Sequence, residues 1–118
     1  MHRILVIDDN RGIRDVLCLL LKERGYDVKA AGGGEEAIAL LAVTGGFDLV
    51  MTDIRMPSVD GNEVARHIRG SFGPDVTIVA MTGFSDEVES DLFDYSIEKP
   101  FKLEVVDEIM MSLGRKND

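Results

Sequence analysis

Short apolar runs that alternate with amphipathic stretches are what most restrict the folding of this chain. Runs such as Ile4-Leu5-Val6-Ile7 and Leu49-Val50-Met51 lack the polar alternation of a half-exposed strand, as expected of strands buried on both faces and joined by crossover helices. The pattern predicts strands over Arg3–Ile7, Asp27–Ala31, 49–52, 76–81 and 95–97. Between the first two, Ile13, Val16, Leu17, Leu20 and Leu21 recur at threes and fours, which marks the inward face of a helix that Gly25 stops. A second helix is expected over 35–43, with Glu35-Glu36 on its first turn and Gly45-Gly46 at its end. Two more are expected over 61–70, with Val64, Ala65 and Ile68 inward, and over 101–113, stopped by Gly114. Five strands with helices between them make a doubly wound α/β sandwich of one domain over residues 1–118, in which 114–118 is a polar tail or the start of a linker. Right-handed crossovers then bring the C-terminal ends of the strands to one edge.

That edge gathers the reactive side chains. Asp8-Asp9 follow the first strand, Asp53 the third, Thr82 the fourth and Lys99 the fifth. Carboxylates at neighbouring strand ends repel one another and call for a cation, and a few oxygen ligands with room for water suit Mg²⁺. Calcium fits less well, because no Asp-x-Asp-x-Asp-Gly loop is present. Taken singly, each residue has a plainer explanation: Asp9 or Asn10 as a helix cap, Thr82 as another, and Lys99 as a solvated strand-end lysine. As a set they suit a phosphoryl group, whose oxygens the cation and Lys99 would neutralise while Thr82 donates a hydrogen bond. One carboxylate must then be the nucleophile that forms an acyl phosphate. Asp53 is the choice, because it ends the central strand, between the acid pair and the Thr–Lys half.

The rest of the composition narrows the partners. A net charge of −9 and a pI near 4.6 leave no basic stripe for nucleic acid or an anionic membrane, so proteins with basic or apolar surfaces are the expected partners. Cys18 is the sole cysteine and lies in an apolar stretch, as a small buried hydrophobe would. The chain opens on a strand-like segment without a signal peptide, and no apolar run could span a bilayer, so a cytoplasmic location is expected. Gly32-Gly33-Gly34 lacks the Lys-Ser/Thr of a phosphate-binding loop and reads as a turn. Met51, Met56, Met81, Met110 and Met111 read mostly as core or loop filler. His2 and His67 show no metal-ligand spacing, and Asp86, Glu87, Glu89, Asp91 and Asp94 read as a solvated face.

Four segments carry a family likeness: Ile4-Leu5-Val6-Ile7-Asp8-Asp9, the run from Asp48 to Gly61, Met81-Thr82-Gly83, and Glu98-Lys99-Pro100-Phe101. In this order they closely resemble the receiver domain of two-component response regulators, and Asp53-x-x-Met56-Pro57-x-x-x-Gly61 is the most specific part. The resemblance implies a flavodoxin-like, CheY-like sheet of strand order 2-1-3-4-5. It implies Asp53 as phosphoacceptor, Asp9 and Asp53 as direct Mg²⁺ ligands, Asp8 acting mainly through water, and the backbone carbonyl of Arg55 completing the protein ligands; Mn²⁺ would substitute. Thr82 would be the switch hydroxyl and Lys99 the phosphoryl-binding lysine, with a cis Lys99-Pro100 bond aiming it into the site. The implied function is a phosphorylation-controlled interaction switch fed by a histidine kinase or histidine phosphotransfer protein. Such a domain phosphorylates itself and is not a turnover enzyme; its downstream protein or attached output domain is not named by the sequence.

The chain also departs from the pattern. The stretch from Thr82 to Lys99 is shorter than in most receivers by roughly four to five residues, a little over one helical turn, so a shortened or irregular fourth helix is expected. The aromatic residue usual three places before the lysine is Ser96 here, and Tyr95 serves as the switch aromatic only if a bulge shifts it. Receivers often pair through this altered face, which favours a monomer. Arg55 and Phe84, which flank the phosphoryl group in relatives, are large enough to hinder an attacking water, and slow hydrolysis of the acyl phosphate is expected. Two other readings compete: a degenerate receiver acting as a constitutive interaction module, and a haloacid dehalogenase-type phosphohydrolase. The second lacks the acid two residues after its nucleophile, where Arg55 stands, and lacks a cap insertion.

Overall fold

A computed structural model describes residues 2–83 and 87–116. Phe84 and Asp86 therefore lie outside the described residues, and so does the expected role of Phe84. The strands β1 (Arg3–Ile7), β2 (Asp27–Ala31), β3 (Leu49–Asp53), β4 (Thr77–Thr82) and β5 (Tyr95–Glu98) form one parallel sheet in the order β2-β1-β3-β4-β5. Helices α1 (Arg11–Glu23), α2 (Gly34–Thr44), α3 (Gly61–Phe72) and α4 (Leu103–Lys116) cover its two faces.

The unbroken apolar runs explain the layering, because successive side chains of a strand leave on opposite faces. Ile4 and Val6 join Leu49, Met51, Val79 and Met81 under α1 and α4, where Leu17, Leu21, Val106 and Ile109 meet them. Leu5 and Ile7 join Val50 and Ile78 on the other face, against Ala37, Leu41, Val64, Ala65 and Ile68 of α2 and α3. Cys18 is buried in the first core, as its apolar setting implies. Met51, Met81 and Met110 are core residues, Met56 packs against the second core, and Met111 is exposed.

Two glycines are fixed by close approach. A Cβ at Gly61 would stand 2.2 Å from the Asp53 carbonyl oxygen, so only glycine lets α3 start against the end of β3. A Cβ at Gly34 would stand 2.4 Å from the Val59 carbonyl oxygen, which gives the last of the three consecutive glycines a packing reason.

The structure corrects two expectations of the fold, the inward face of α1 and the bounds of the last helix. Ile13 and Val16 are 47% and 58% exposed, so the inward face of α1 is Leu17, Cys18 and Leu21. The five apolar positions span a wider arc than the sheet covers, and Ile13, Val16 and Leu20 line a lateral groove with Pro100, Phe101 and Leu103. The last helix starts at Leu103 and runs through Gly114 to Lys116, because a helical glycine costs only about 1 kcal/mol against alanine and no left-handed cap is required there. The expected tail 114–118 is therefore helical as far as Lys116. The β4–β5 connection is shortened and irregular, as expected: among the described residues it holds no α-helix but a 3₁₀ turn at Ser90–Leu92.

Candidate functional site

Parallel pairing brings the ends of β1, β3, β4 and β5 to one edge, with Ile7 opposite Thr52, Asp53 opposite Met81 and Thr82 opposite Glu98. The residues just past those strands therefore meet. Asn10 caps α1, its side-chain oxygen accepting from the Ile13 N–H at 3.0 Å, which leaves Asp8 and Asp9 to the crevice. One carboxylate oxygen from each of Asp8, Asp9 and Asp53 lies within 4.8 Å of the others. Asp8 is buried, Asp53 is half-buried and Asp9 is exposed.

Lys99 joins two of these acids. Its Nζ stands 2.8 Å from Asp8 Oδ2 and 3.3 Å from Asp53 Oδ2, and the Lys99–Pro100 bond is cis. The remaining oxygens are held by backbone: Asp8 Oδ1 accepts from the Asn10 N–H at 2.9 Å, and Asp53 Oδ1 from the Ile54 N–H at 2.9 Å. Burial pushes the Asp53 carboxyl above its ordinary range; Lys99 pulls it back, and Asp8 repulsion adds to the rise. Burial alone would lower the Lys99 ammonium, yet its hydrogen bond to Asp8 and the Asp53 and Asp8 charges carry it upward. The two partners of one ion pair thus shift in the same direction, because Lys99 faces two acids whereas Asp53 faces one cation and a second acid. Three carboxylates around one ammonium are an anionic oxygen set, which suits a hard divalent cation with water completing its shell.

The other expected residues are placed as follows. Thr82 is buried at the end of β4, and its carbonyl accepts from the Lys99 N–H at 3.0 Å. Arg55 follows Asp53 on the β3–α3 loop and pairs with Glu87 through Nε, at 2.9 and 2.7 Å to the two carboxylate oxygens, and through a terminal nitrogen. Tyr95 stands apart: β5 pairs with β4 residue for residue over 95–98, and the Tyr95 hydroxyl lies 3.3 Å from Ser112 Oγ of α4. The solvated-face reading of 87–94 needs correction, since Glu87, Glu89 and Asp94 pair with Arg55, Arg66 and Arg69. Sequence reasoning missed this lacing and the buried Asn62 beside it. The available signal was the polar set Asn62, Arg66 and Arg69 at i, i+4 and i+7, one stripe of a helix facing a run of acids.

A family profile described as the response regulator receiver domain matches residues 4–110. The chain belongs to the response regulator receiver domain family. A receiver is a phosphoacceptor in two-component signalling and not a turnover enzyme. Among curated relatives, the response regulator MprA of Mycolicibacterium vanbaalenii is 39% identical over 120 residues, covering 97% of this chain and 51% of the relative. The transcriptional regulatory protein AruR of Pseudomonas aeruginosa is 41% identical over 91 residues, or 74% of this chain and 36% of the relative. This receiver thus spans about half the length, or less, of these relatives. Among solved structures, the response regulator TrrA of Thermotoga maritima in complex with Mg²⁺-BeF has a TM-score of 0.85 at 37% identity, covering 96% of this receiver and 99% of that chain. A crystal structure of the histidine kinase ThkA in complex with TrrA gives a TM-score of 0.83 at 36% identity, over 96% and 98% of the two chains. The Mg²⁺ in the first complex agrees with the cation that the acid cluster here would hold. Among the described residues no helix is long and apolar enough to cross a membrane.

Proposed function

We propose that this receiver takes a phosphoryl group onto Asp53 from a histidine kinase or histidine phosphotransfer protein and acts as a phosphorylation-controlled interaction switch. The observation that carries the reading is Lys99, whose ammonium bridges the buried Asp8 and the strand-end Asp53. An oxygen of Asp53 attacks the phosphorus, the bond from phosphorus to the donor imidazole nitrogen breaks, and the imidazole leaves with that electron pair. Lys99 sits within reach of the transferred oxygens, and Thr82 supplies the hydroxyl that follows them. Asp9 and Asp53 would hold Mg²⁺ directly, Asp8 through water, with the Arg55 carbonyl as a further ligand; Mn²⁺ has the same oxygen preference and substitutes. The cation's chemistry is to neutralise charge on the phosphoryl oxygens.

The donor must approach the strand edge, and the apolar groove of Ile13, Val16, Leu20, Pro100 and Phe101 borders that edge at Lys99. Exposed apolar side chains beside a reaction centre fit a docked protein better than a small donor. A cytoplasmic location, where the buried Cys18 would stay reduced, and a monomeric state complete this reading.

The test is Mg²⁺-dependent binding of beryllofluoride, an acyl-phosphate mimic, followed by amide NMR on wild type and Asp53→Ala. Shifts at Asp53, Thr82 and Lys99 that need Mg²⁺ and vanish in the variant are expected. No Mg²⁺-dependent response would overturn the phosphoacceptor reading and leave a constitutive interaction module.

A further inference from the structure

The segment that replaces a helix between β4 and β5 is held to α3 mainly by polar ties. The Asn62 side chain, buried at the second position of α3, donates to the Glu87 carbonyl at 2.8 Å and accepts from the Glu89 N–H at 3.0 Å. Arg66 pairs with Glu89 one turn further on. Arg69 donates to the Leu92 carbonyl at 3.1 Å and to Asp94 at 2.8 Å, and is itself fixed by the Gly73 and Val76 carbonyls. Asp94 is locked onto β4 from both sides, its N–H donating to the Ile78 carbonyl and its carboxylate accepting from the Ile78 N–H, both at 2.9 Å. The far end of the segment is therefore anchored. Leu92 and Phe93 pack against the core there, whereas Glu89, Ser90 and Asp91 are exposed. Among the described residues the near end is tied by Asn62, by the Arg66–Glu89 pair and by an ion pair to the loop after Asp53, that of Arg55 with Glu87.

We propose that the Arg55–Glu87 pair is an exchangeable latch: it holds residues 87–91 on α3 while Asp53 is unmodified, and a phosphoryl group on Asp53 takes the guanidinium and releases them. The latch rests on the reading of Asp53 as phosphoacceptor. Three facts support the exchange. Arg55 is two residues from Asp53 on the β3–α3 loop, so its guanidinium is tethered beside the phosphoryl site while it pairs with Glu87 of the β4–β5 connection. Its side chain is 59% exposed and that of Glu87 34%, so the pair is solvated and cheap to break. The phosphoryl group brings about two negative charges where the carboxylate had one, and its oxygens match the guanidinium fork as a carboxylate does. Glu87 depends on the pair in return: the Arg55 hydrogen bond holds its carboxyl below the ordinary range. Once Arg55 leaves, Asn62 and the exposed Arg66–Glu89 pair are the ties that remain at the near end among the described residues, and the segment pivots about Leu92 to Asp94. Both Asn62 bonds go to residues 87 and 89 of that segment, so they part together when it pivots.

The experiment is NMR on the whole chain, reading the Arg55 Nε–H resonance, the hydrogen-exchange rate of the Glu89 amide, and the Asp53 and Lys99 amides. In wild type, Mg²⁺ with beryllofluoride is expected to move the Arg55 Nε–H and speed Glu89 exchange about fivefold or more. Glu87→Gln and Arg55→Gln are each expected to speed Glu89 exchange by a similar factor without beryllofluoride, while the Asp53 and Lys99 amides of Glu87→Gln still respond to it. A response at Asp53 and Lys99 with Arg55 Nε–H and Glu89 unmoved would overturn the latch and leave the phosphoacceptor standing. Glu89 exchange at the wild-type rate in both variants would overturn it as well. Silence at Asp53 and Lys99 would remove both readings together.

Discussion

Replacing Asp53 by asparagine is expected to stabilise the metal-free receiver at neutral pH. At 3.3 Å and an effective dielectric near 20, the attraction of Asp53 to Lys99 is about 5 kcal/mol. At no more than 4.8 Å, its repulsion from Asp8 is at least about 3.5 kcal/mol, and that from the exposed Asp9 is a screened fraction of the same figure. These terms nearly cancel, so the burial of a charge whose side chain is only 17% exposed decides the sign. A net gain of about 1 kcal/mol follows for Asp53→Asn, measured by urea unfolding in the presence of a chelator. The gain depends on pH in a fixed direction. The folded chain holds the Asp53 proton more tightly than the unfolded one, so wild type loses stability as the pH rises through the unfolded and then the raised folded value. Below that interval Asp53 is protonated and the two proteins converge. Mg²⁺ reverses the order at neutral pH, because a site bound at a hundredfold excess over Kd contributes about 2.7 kcal/mol to wild type and much less to the variant. If Asp53→Asn is destabilising without Mg²⁺ at pH 7, or its advantage persists in acid, the electrostatic account is wrong.

Other outcomes test separate parts of the structure. Gly61→Ala drives a Cβ into the Asp53 carbonyl, and a loss of about 3 kcal/mol or more in urea unfolding is expected, since the packing of β3 against α3 cannot yield at a backbone atom. Lys99→Met should lower the rate of phosphorylation by a small acyl-phosphate donor about 100-fold, read from the phosphoprotein formed with time. Ile13→Ser with Val16→Ser should change stability by less than about 0.5 kcal/mol, both side chains being exposed, yet slow transfer from a phosphorylated histidine protein about tenfold while leaving a small donor unaffected. Equal slowing with both donors would remove the groove from the docking argument.

The sheet was legible because each strand is a local signal. Ile4 to Ile7 and Leu49 to Met51 are apolar without alternation, and the acids, Thr82 and Lys99 follow directly at their ends. The convergence of those residues needed only the handedness of the crossovers. The face of α1 was misread because periodicity reports which side chains share a side, not how wide a strip the neighbouring sheet covers. Ile13, Val16 and Leu20 obey the period and still lie outside the core. The β4–β5 connection was opaque for another reason. Its order comes from pairs such as Arg55 with Glu87 and Arg69 with Asp94, 32 and 25 residues apart, and a charged residue looks the same in sequence whether it is solvated or paired. Asn62 was hidden likewise, since a buried amide is recognisable only by the backbone groups it meets.

The split surface of α1 separates two kinds of selection. Leu17, Cys18 and Leu21 answer to the stability of the domain, and a change there is paid at once in folding. Ile13, Val16 and Leu20 answer to whatever rests in the groove, and they can drift without the core registering it. Duplicated receivers that share a cell could therefore acquire private donors through a few substitutions along one helix edge, each copy keeping the same sheet, the same acids and the same lysine.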